Sequence, residues 1–416
     1  MSNIIFFTMD RSSLGHINSS LPLIHALVQR GHNVFCFAPG FFRNKINNTG
    51  AIYKRSVFLE YLFKLINGGG DVNEQSYFDD LEKTGLMTEN SMFLINGLLK
   101  ECKECNPDFI IHDSCAVWGK IIVQLMSIPG ISFVTLFALN SVIIQREPFV
   151  FLPLLFNAHT KSKAEISEMF EKSMSYSRYV KQRYGFDYDP LDNYVNQEPL
   201  NLICTSHLFQ PYSELLDSTF RYIGYDLDYR FKIEPEYTLP THGFKYSIYF
   251  SFGSIRSDTL DNGIRFYQQL MDYFRNYPAF FLINISSIDK GVFDYIPSNF
   301  ILFNGAPQLS ILSKVDLFIT HGGMNSVNEA IQTNTPMIVI PQLWDQFIVS
   351  NQVNKHNLGY GFQDSKISMD ELEYRIRKVV SDSSILDACH LMSGYYKETG
   401  GIERALDLIS SYSYIS

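Results

Sequence analysis

Short apolar runs alternate with helical patterns along the chain, beginning at the first residues. The run Asn3–Thr8 predicts a strand, and Met9–His16 predicts a loop. A helix is predicted from about Asn18 to Arg30, because apolar residues recur there three to four positions apart and Asn18 is a good N-cap. The next run, Asn33–Phe37, predicts a second strand. A strand–helix–strand unit of this kind implies parallel strands joined by a right-handed crossover.

The same alternation continues to the end of the chain and predicts an α/β protein. The first half also contains one long predicted helix between Phe137 and Tyr194, and the chain ends in helical segments up to about Ser410. The other predicted strands are Asp108–His112, Ile131–Leu136, Asn201–Thr205, Tyr246–Phe250, Phe280–Ile285, Phe300–Phe303, Val315–Thr320 and Met337–Ile340, and the other helices are Ala116–Met126, Leu260–Tyr273 and Asn325–Gln332.

The length of 416 residues predicts two domains, since domains commonly hold about 100–200 residues. Charges, Pro235, Pro240 and Gly243 interrupt the apolar periodicity between the two halves. We therefore predict an N-terminal domain over 1–225, a linker over 226–243 and a C-terminal domain over 244–416. We allow for the last helical segment packing back on the N-terminal domain.

Charge and apolar runs exclude several classes of partner. The net charge is −9 and the basic residues are scattered, so nucleic acid is not a predicted partner. A transmembrane helix needs about 20 apolar residues, whereas the run Phe149–Phe156 is short and contains Pro153, so we predict a loop or pocket wall there. With no secretory signal and scattered cysteines, the expected location is the cytoplasm. The sequence does not indicate an oligomeric state.

No metal site is predicted. Cys102 and Cys105 form a CxxC pair that lacks a second pair, and ordinary thiols are the simpler interpretation. The Asp-x-Asp patterns at 187–189 and 226–228 lie in irregular stretches, where solvated loop charge explains them.

The segment 321–346 carries the most specific pattern in the chain. A buried strand leads into His-Gly-Gly-Met-Asn-Ser at 321–326, and a helix follows with Glu329 in its first turns. Two glycines allow the backbone to approach a ligand, and the helix N-terminus presents free amides and a partial positive charge. Such a turn at the carboxyl end of a parallel strand suits a diphosphate.

The whole segment resembles the donor-binding signature of glycosyltransferase family 1, the UDP-glycosyltransferases, and most closely their bacterial macrolide- and flavonoid-type members. The shared pieces stand in order: the His-Gly-Gly-Met-Asn-Ser turn, Glu329, Thr-Pro, Val-Ile-Pro-Gln and Asp-Gln. The similarity reaches Leu-Gly-His-Ile-Asn near the start and Gly-Gly-Ile-Glu-Arg-Ala at 400–405, and it is weak over about 57–105 and 140–200. The resemblance implies the GT-B fold, in which two Rossmann-like domains face each other across a cleft.

The resemblance also implies a role for each matching residue. His321 contacts the pyrophosphate of a UDP-sugar, and Glu329 binds the ribose hydroxyls. The family commonly has a stacking Trp where this chain has Gly305, which leaves the nucleotide base open. The remaining donor contacts implied are Ser254, Gly323, Asn325 and Ser326 at the phosphates, Ala306 and Gln308 at the uracil, and Asp345 and Gln346 at the sugar hydroxyls.

His16 and Asp113 are the catalytic candidates. Each follows a strand of the same parallel sheet, so their side chains can meet at its carboxyl edge. Histidine is a suitable general base near neutral pH, and a carboxylate on its other nitrogen fixes the tautomer. From spacing alone a helix-start histidine and a helix-capping aspartate are equally ordinary, but the family has its base and orienting acid at these two positions. We expect His112 to point to the other face of the strand.

We therefore predict a metal-independent, inverting glycosyltransferase with a UDP-sugar, by default UDP-glucose, as donor substrate and no other cofactor. The acceptor is predicted to be an apolar, hydroxylated small molecule such as a macrolide or a polyphenol. A nicotinamide or flavin oxidoreductase is disfavoured because GxGxxG is absent after the first strand. The alternatives are a nucleotide-sugar epimerase or a non-catalytic nucleotide-sugar-binding protein of the same fold. Candidate acceptor-pocket residues, for which core packing is an equally good interpretation, are Phe58, Leu59, Tyr61, Phe137, Phe149, Phe151 and Leu154.

Overall fold

A computed structural model describes residues 1–8, 14–56, 95–155, 161–240, 243–253, 260–286, 288–343 and 345–413. The chain divides into two compact units. The first unit consists of Met1–Gly224 together with Thr399–Ser416, and the second is Tyr225–Glu398.

The described part of the first unit forms a parallel sheet in the strand order β3-β2-β1-β4-β5-β6-β7. Apolar side chains such as Ile5, Ile110 and Ile122 form a buried cluster beside it. The strands are β1 (Asn3–Phe7), β2 (Asn33–Phe37), β3 (Ile52–Lys54), β4 (Phe109–Asp113), β5 (Gly130–Val134), β6 (Leu200–Ile203) and β7 (Phe220–Tyr222). The helices are α1 (Leu14–Gln29), α2 (Arg43–Asn47), α3 (95–104), α4 (Val117–Met126), α5 (Ser141–Arg146), α6 (Pro148–Leu155) and α7 (Lys163–Tyr184).

The second unit forms a parallel sheet in the order β10-β9-β8-β11-β12-β13. Its strands are β8 (Tyr246–Ser251), β9 (Ala279–Asn284), β10 (Phe300–Phe303), β11 (Leu317–Thr320), β12 (Met337–Val339) and β13 (Gly359–Gly361). Its helices are α8 (Asp228–Ile233), α9 (Leu260–Phe274), α10 (Gln308–Leu312), α11 (Met324–Gln332), α12 (Gln346–Lys355), α13 (Met369–Ser381) and α14 (Ser383–Glu398).

The last helix, α15 (Gly401–Ser413), belongs to the first unit and packs on α1. A guanidinium nitrogen of Arg30 lies 2.6 Å from a carboxylate oxygen of Glu403 at this contact. The structure thus assigns Thr399–Ser416 to the first unit, in agreement with the expectation that the last helical segment can pack there, although the predicted boundaries grouped it with 244–416.

The segment 226–243, predicted as a linker, is part of the second unit and contains α8. Its Arg230 side chain is buried and makes an ion pair with Glu329. The prediction of a linker was wrong here, because a long-range ion pair fixes a segment whose own sequence is polar and contains prolines.

Two further local predictions were wrong. Helix α1 begins at Leu14, so His16 lies in its first turn and not in a loop. The hydroxyls of Ser19 and Ser20 donate to the backbone carbonyls of Gly15 and His16, four residues earlier in the helix. These serines therefore form hydrogen bonds inside the helix and do not cap its N-terminus.

The apolar run predicted as a loop or pocket wall forms helix α6. Pro148 stands at its first position, where a missing amide costs little. The run is apolar on all sides and therefore lacks the periodicity that identifies a helix.

Within the part of the chain that the structure describes, no helix has both the length and the apolar character needed to span a membrane.

Candidate active site

Each sheet has a point where the strand order reverses, and the predicted site residues lie at these two points. In the first unit β1 lies between β2 and β4, and in the second β8 lies between β9 and β11. Open α/β sheets bind ligands beyond the carboxyl ends of the strands at such positions. His16 follows β1 and Asp113 ends β4, while Gly253 follows β8 and His321 follows β11.

In the first unit the structure brings His16 and Asp113 together as predicted. The Nδ1 atom of His16 lies 2.8 Å from Oδ2 of Asp113. The Asp113 side chain is fully buried, whereas the His16 side chain keeps 12% of its surface exposed. A buried carboxylate at Nδ1 holds the proton on that nitrogen, so the lone pair of the ring is on Nε2. This is the tautomer that a general base requires.

The carboxylate itself is held by two further donors. The backbone amide of Cys115 donates to Oδ1 of Asp113 over 2.9 Å. The hydroxyl of Thr135 lies 3.3 Å from Oδ2 of Asp113 and 2.8 Å from Nδ1 of His16. Thr135 comes directly after β5, the strand beside β4, so three neighbouring strand ends form this arrangement.

The ligand atoms of His16, Asp113 and Cys115 lie within 4.8 Å of one another, which is close enough for a shared metal ion. Both carboxylate oxygens of Asp113 and Nδ1 of His16 are already joined by the hydrogen bonds above. These contacts match an acid–base dyad.

His112 lies on the other side of the strand, as strand alternation predicts. It is fully buried, and its Nε2 lies 3.2 Å from a carboxylate oxygen of Glu198. Gly119 packs so closely on it that an added Cβ would come within 2.4 Å of the Cβ of His112. These contacts give His112 a packing role in β4.

The predicted acceptor-pocket residues divide between surface and core. Phe149 is half exposed on α6, with the ammonium of Lys163 4.8 Å from its ring centre. Phe137 is fully buried against Phe209, with ring centres 5.6 Å apart. Phe151 packs on Tyr212 in the same way, and Leu154 is also buried.

Phe137, Phe151 and Leu154 are buried, and a large apolar side chain fills the core as readily as it lines a pocket. Phe58, Leu59 and Tyr61 lie outside the described residues.

In the second unit His321 is enclosed by two glycines. A Cβ added to Gly253 would lie 2.5 Å from Cε1 of the ring, and one added to Gly323 would lie 2.5 Å from Nε2. Burial lowers the pKa of His321 to about 4, although a backbone hydrogen bond with Ser251 partly opposes this shift. The imidazole is therefore neutral near pH 7 and can act as a hydrogen-bond donor but not as a cation.

The helix that follows supplies the positive electrostatic potential. Gly323 is the N-cap of α11, and its carbonyl accepts the first helical hydrogen bond, from the amide of Val327. The amides at 324–326 precede that bond and therefore have no carbonyl partner in a preceding turn of the helix. Gly322 has φ +87°, and a Cβ there would lie 2.6 Å from Val339, so this backbone requires glycine. Ser254, predicted to reach the same phosphates, lies outside the described residues.

Glu329 and Gln308 form a single buried network. The amide nitrogen of Gln308 donates to Oε2 of Glu329 over 2.6 Å and lies 3.2 Å from the hydroxyl of Ser326. The hydroxyl of Tyr249 donates to the side-chain oxygen Oε1 of Gln308 over 3.2 Å. Arg230 donates to Oε1 of Glu329. Glu329 is only 3% exposed, so its side chain is fixed on all sides.

At the predicted sugar end, Gln346 is partly occupied by its own loop. Its carbonyl oxygen accepts from the amides of Gln342 and Leu343 over 2.8 and 3.0 Å. If this side chain contacts a sugar, the contact is therefore expected from its amide nitrogen, acting as a donor. Asp345 is buried directly before α12. Asn325 is half-buried in the first turn of α11.

The predicted base contact lies between β10 and α10. Ala306 is half-buried there, and Gly305 before it is exposed, with φ +88°. A Cβ on Gly305 would meet open space, but this left-handed backbone disfavours any other residue. An aromatic residue is thus excluded from this position by backbone conformation and not by lack of room.

Comparison with known proteins finds a family match in the second unit and relatives over nearly the whole chain. Residues 235–400 match the family model described as UDP-glucoronosyl and UDP-glucosyl transferase. Over nearly its whole length the chain is similar to bacterial relatives. It is 27% identical over 401 residues to the NDP-glycosyltransferase YjiC of Bacillus licheniformis, covering 96% of this chain and 95% of that protein. It is 25% identical over 397 residues to the uncharacterized UDP-glucosyltransferase YojK of Bacillus subtilis, covering 95% and 94%. These matches support a glycosyltransferase.

The solved structures agree on the fold of this glycosyltransferase. The crystal structure of the kitacinnamycin glycosyltransferase superposes with a TM-score of 0.77 at 22% identity, covering 99% of this chain and 98% of that one. The predicted GT-B fold of two parallel-sheet α/β domains is thereby confirmed.

Sequence reasoning missed two residues of the glycosyltransferase that contact the predicted ones. Thr135 could have been found, because it is a polar residue at the end of a buried strand next to β4. Arg230 could not, because it lies 99 positions from Glu329 in a segment without apolar periodicity.

Proposed function

We propose that this glycosyltransferase moves a sugar, with glucose as the first candidate, from a UDP-sugar to a hydroxyl of an apolar natural product. The reaction is a single inverting displacement that requires no metal ion. The arrangement of His16, Asp113 and Thr135 is the observation that carries the proposal. A nucleotide-sugar epimerase or a binding protein has no need for a histidine whose Nδ1 is fixed by a buried carboxylate.

The first unit supplies the base. Nε2 of His16 takes the proton of the acceptor hydroxyl while that oxygen attacks the anomeric carbon of the donor. The imidazolium that forms is stabilised by Asp113, whose carboxylate is buried 2.8 Å from Nδ1. Thr135 and the Cys115 amide keep the carboxylate in place by hydrogen bonds, so no reorganisation is needed during the reaction.

The second unit holds the donor and stabilises the leaving group. The diphosphate binds at the N-terminus of α11, where the backbone amides of the first turn and the helix dipole offset its charge. His321 contributes a hydrogen bond from a neutral ring, since burial lowers its pKa to about 4. Glu329 binds the ribose hydroxyls. Negative charge that develops on the departing nucleoside diphosphate is thus met by oriented dipoles.

The acceptor class rests on the relatives and on composition. The structural neighbour is named for kitacinnamycin, and two bacterial relatives are named as UDP- or NDP-glycosyltransferases. The half-exposed Phe149 offers an apolar contact for an aromatic or macrolide acceptor.

The test is a transfer assay in the presence of EDTA. Purified protein is incubated with UDP-glucose and a panel of hydroxylated aromatic and macrolide acceptors, and mass spectrometry detects the added hexose. His16→Ala is compared with His25→Ala as a matched control, because His25 lies on the same helix and its Nδ1 is 3.1 Å from the carbonyl of Thr49. Proton coupling at the anomeric carbon reports the configuration of the product.

We expect a β-linked product from the α-linked donor, made in EDTA by the wild type and by His25→Ala but not by His16→Ala. Transfer by His16→Ala at the wild-type rate would refute the role of His16. Retention of configuration would refute the single displacement. UDP-glucose binding without transfer to any acceptor would favour a binding protein.

A further inference from the structure

Arg230 is a buried charged residue that the proposed mechanism does not use. It lies on α8, before the span 235–400 that matches the family model, so the donor signature gives it no role. Its side chain is 10% exposed, and its guanidinium lies between two carboxylates. One of its terminal nitrogens donates to Oε1 of Glu329, and the other lies 2.9 Å from Oε2 of Glu234.

The charges explain why arginine is required at this position. Glu329 is 3% exposed and Glu234 is 15% exposed, and a buried carboxylate without a cation is strongly destabilising. Burial lowers the pKa of Arg230, but the charge of Glu329, with Tyr225 and Glu234, outweighs this effect and raises it above its ordinary value. The guanidinium remains charged and compensates the carboxylate that the proposal assigns to ribose.

The planar guanidinium also fixes the orientation of that carboxylate. Oε1 of Glu329 accepts from Arg230, and Oε2 accepts from the amide nitrogen of Gln308 over 2.6 Å. Each carboxylate oxygen can accept two hydrogen bonds, so one acceptor position is left on each. Two such positions on one fixed carboxylate match two neighbouring hydroxyls.

The other end of the guanidinium is anchored in turn. Oε1 of Glu234 accepts from the backbone amide of Leu309, in the helix that carries Gln308. Arg230 therefore links α8, α10 and α11 through side chains that are all at least mostly buried. A lysine carries a single ammonium and cannot hold both carboxylates in this planar geometry.

We propose that Arg230 is a positioning residue that orients the Glu329 carboxylate for the 2′- and 3′-hydroxyls of a ribonucleotide donor. It acts through Glu329 and makes the site selective for ribonucleoside over 2′-deoxyribonucleoside diphosphates. The inference rests on the proposed role of Glu329 in binding ribose.

The experiment compares UDP with 2′-deoxy-UDP by calorimetry on the full chain. The variants are Arg230→Met and Arg230→Lys, with Arg377→Met as the control, because Arg377 is 68% exposed and pairs with Glu373 within one helix of the same unit. Thermal unfolding shows whether each variant is folded. If Arg230→Met does not fold, Glu234→Gln loosens the other end of the guanidinium and serves in its place.

We expect the wild type and Arg377→Met to bind UDP about 10- to 100-fold more tightly than 2′-deoxy-UDP, the range for a hydrogen bond to a charged group. The ratio of the 2′-deoxy-UDP and UDP dissociation constants should fall towards one in Arg230→Met. In Arg230→Lys it should lie between the values of the wild type and Arg230→Met. In transfer assays KM for the donor should rise in Arg230→Met while kcat at saturating donor changes less.

The outcomes separate the two proposals. No preference for UDP in the wild type would remove the ribose role of Glu329, and the inference with it. A wild-type preference that persists unchanged in folded Arg230→Met would overturn the inference alone, and so would an equal loss for both nucleotides. Tighter UDP binding by Arg230→Met would overturn it as well, by showing that the ion pair competes with the nucleotide.

Discussion

Replacing Asp113 by asparagine tests whether this buried carboxylate sets the tautomer of His16. The aspartate accepts at both oxygens, from Cys115 at Oδ1 and from His16 and Thr135 at Oδ2. Asparagine has nearly the same shape but only one acceptor oxygen, and its second position carries two N–H donors. One side of the network must therefore lose its acceptor.

The two possible orientations have different consequences. If the amide oxygen faces His16, the NH2 group meets the Cys115 amide and two donors oppose each other, which costs about 1–3 kcal/mol. If the oxygen faces Cys115, the NH2 group donates to Nδ1 of His16 and moves the ring proton to Nε2. The second orientation is favoured, and it removes the lone pair that accepts the acceptor proton.

We expect Asp113→Asn to lower kcat by about a thousandfold or more, because the tautomer is wrong and the imidazolium loses its counter-charge. KM for UDP-glucose should stay unchanged, since the donor binds to the second unit. The assay is steady-state transfer, followed by mass spectrometry, with thermal unfolding to confirm folding. Asp187→Asn is the matched control, because Asp187 is exposed and contacts only Lys181 among the ion pairs of the described residues.

Transfer by Asp113→Asn within about tenfold of the wild type would refute this reasoning, because the tautomer argument requires a much larger loss. A loss confined to KM of the donor would refute it too.

Three further changes test the two sites separately. Thr135→Val removes a hydroxyl from the Asp113 network and should lower kcat about tenfold at unchanged donor KM, whereas unchanged kcat would show that Thr135 only fills space. Gly323→Ala places a Cβ 2.5 Å from Nε2 of His321, so donor KM should rise about tenfold or more in the same assay, and a wild-type KM would contradict the enclosed position of the ring. Because burial lowers the pKa of His321 from 6.5 to about 4, its contribution to the free energy of unfolding is fully present above pH 6.5 and is lost as the pH falls towards 4. Urea unfolding should show a loss of about 2 kcal/mol between pH 7.5 and 5 that is absent from His321→Gln, and equal pH dependence in both proteins would contradict the shift.

The sequence predicted the sheets well because their signal is local. Buried parallel strands such as β8 and β11 are continuous apolar runs, so Tyr246–Ser251 and Leu317–Thr320 differ from prediction by one or two residues at their ends. The meeting of His16 with Asp113 also followed from the rule that parallel strands end at one edge. The first prediction required only local apolar runs, and the second required only the order of the elements.

Other features depend on contacts that a local pattern does not contain. Helix α1 begins earlier than predicted, and Ser19 and Ser20, which composition favours as caps, lie inside it and donate to preceding carbonyls. The segment around Arg230 was predicted as a linker, although a carboxylate 99 residues away fixes it in the second unit. Phe137 shows that an aromatic residue near a site can belong to the core.

The return of α15 to the first unit has a consequence for how the protein is made. The second unit is one continuous stretch that ends at Glu398, so a ribosome has delivered all of it before α15 is synthesised. The first unit, although most of it emerges first, gains the helix that packs on α1 only after the second unit has been synthesised. The usual order, in which the N-terminal part of a chain completes folding first, is thus reversed here. A chain that stops at Glu398 would contain every residue of the second unit but would lack the helix that packs on α1 in the first.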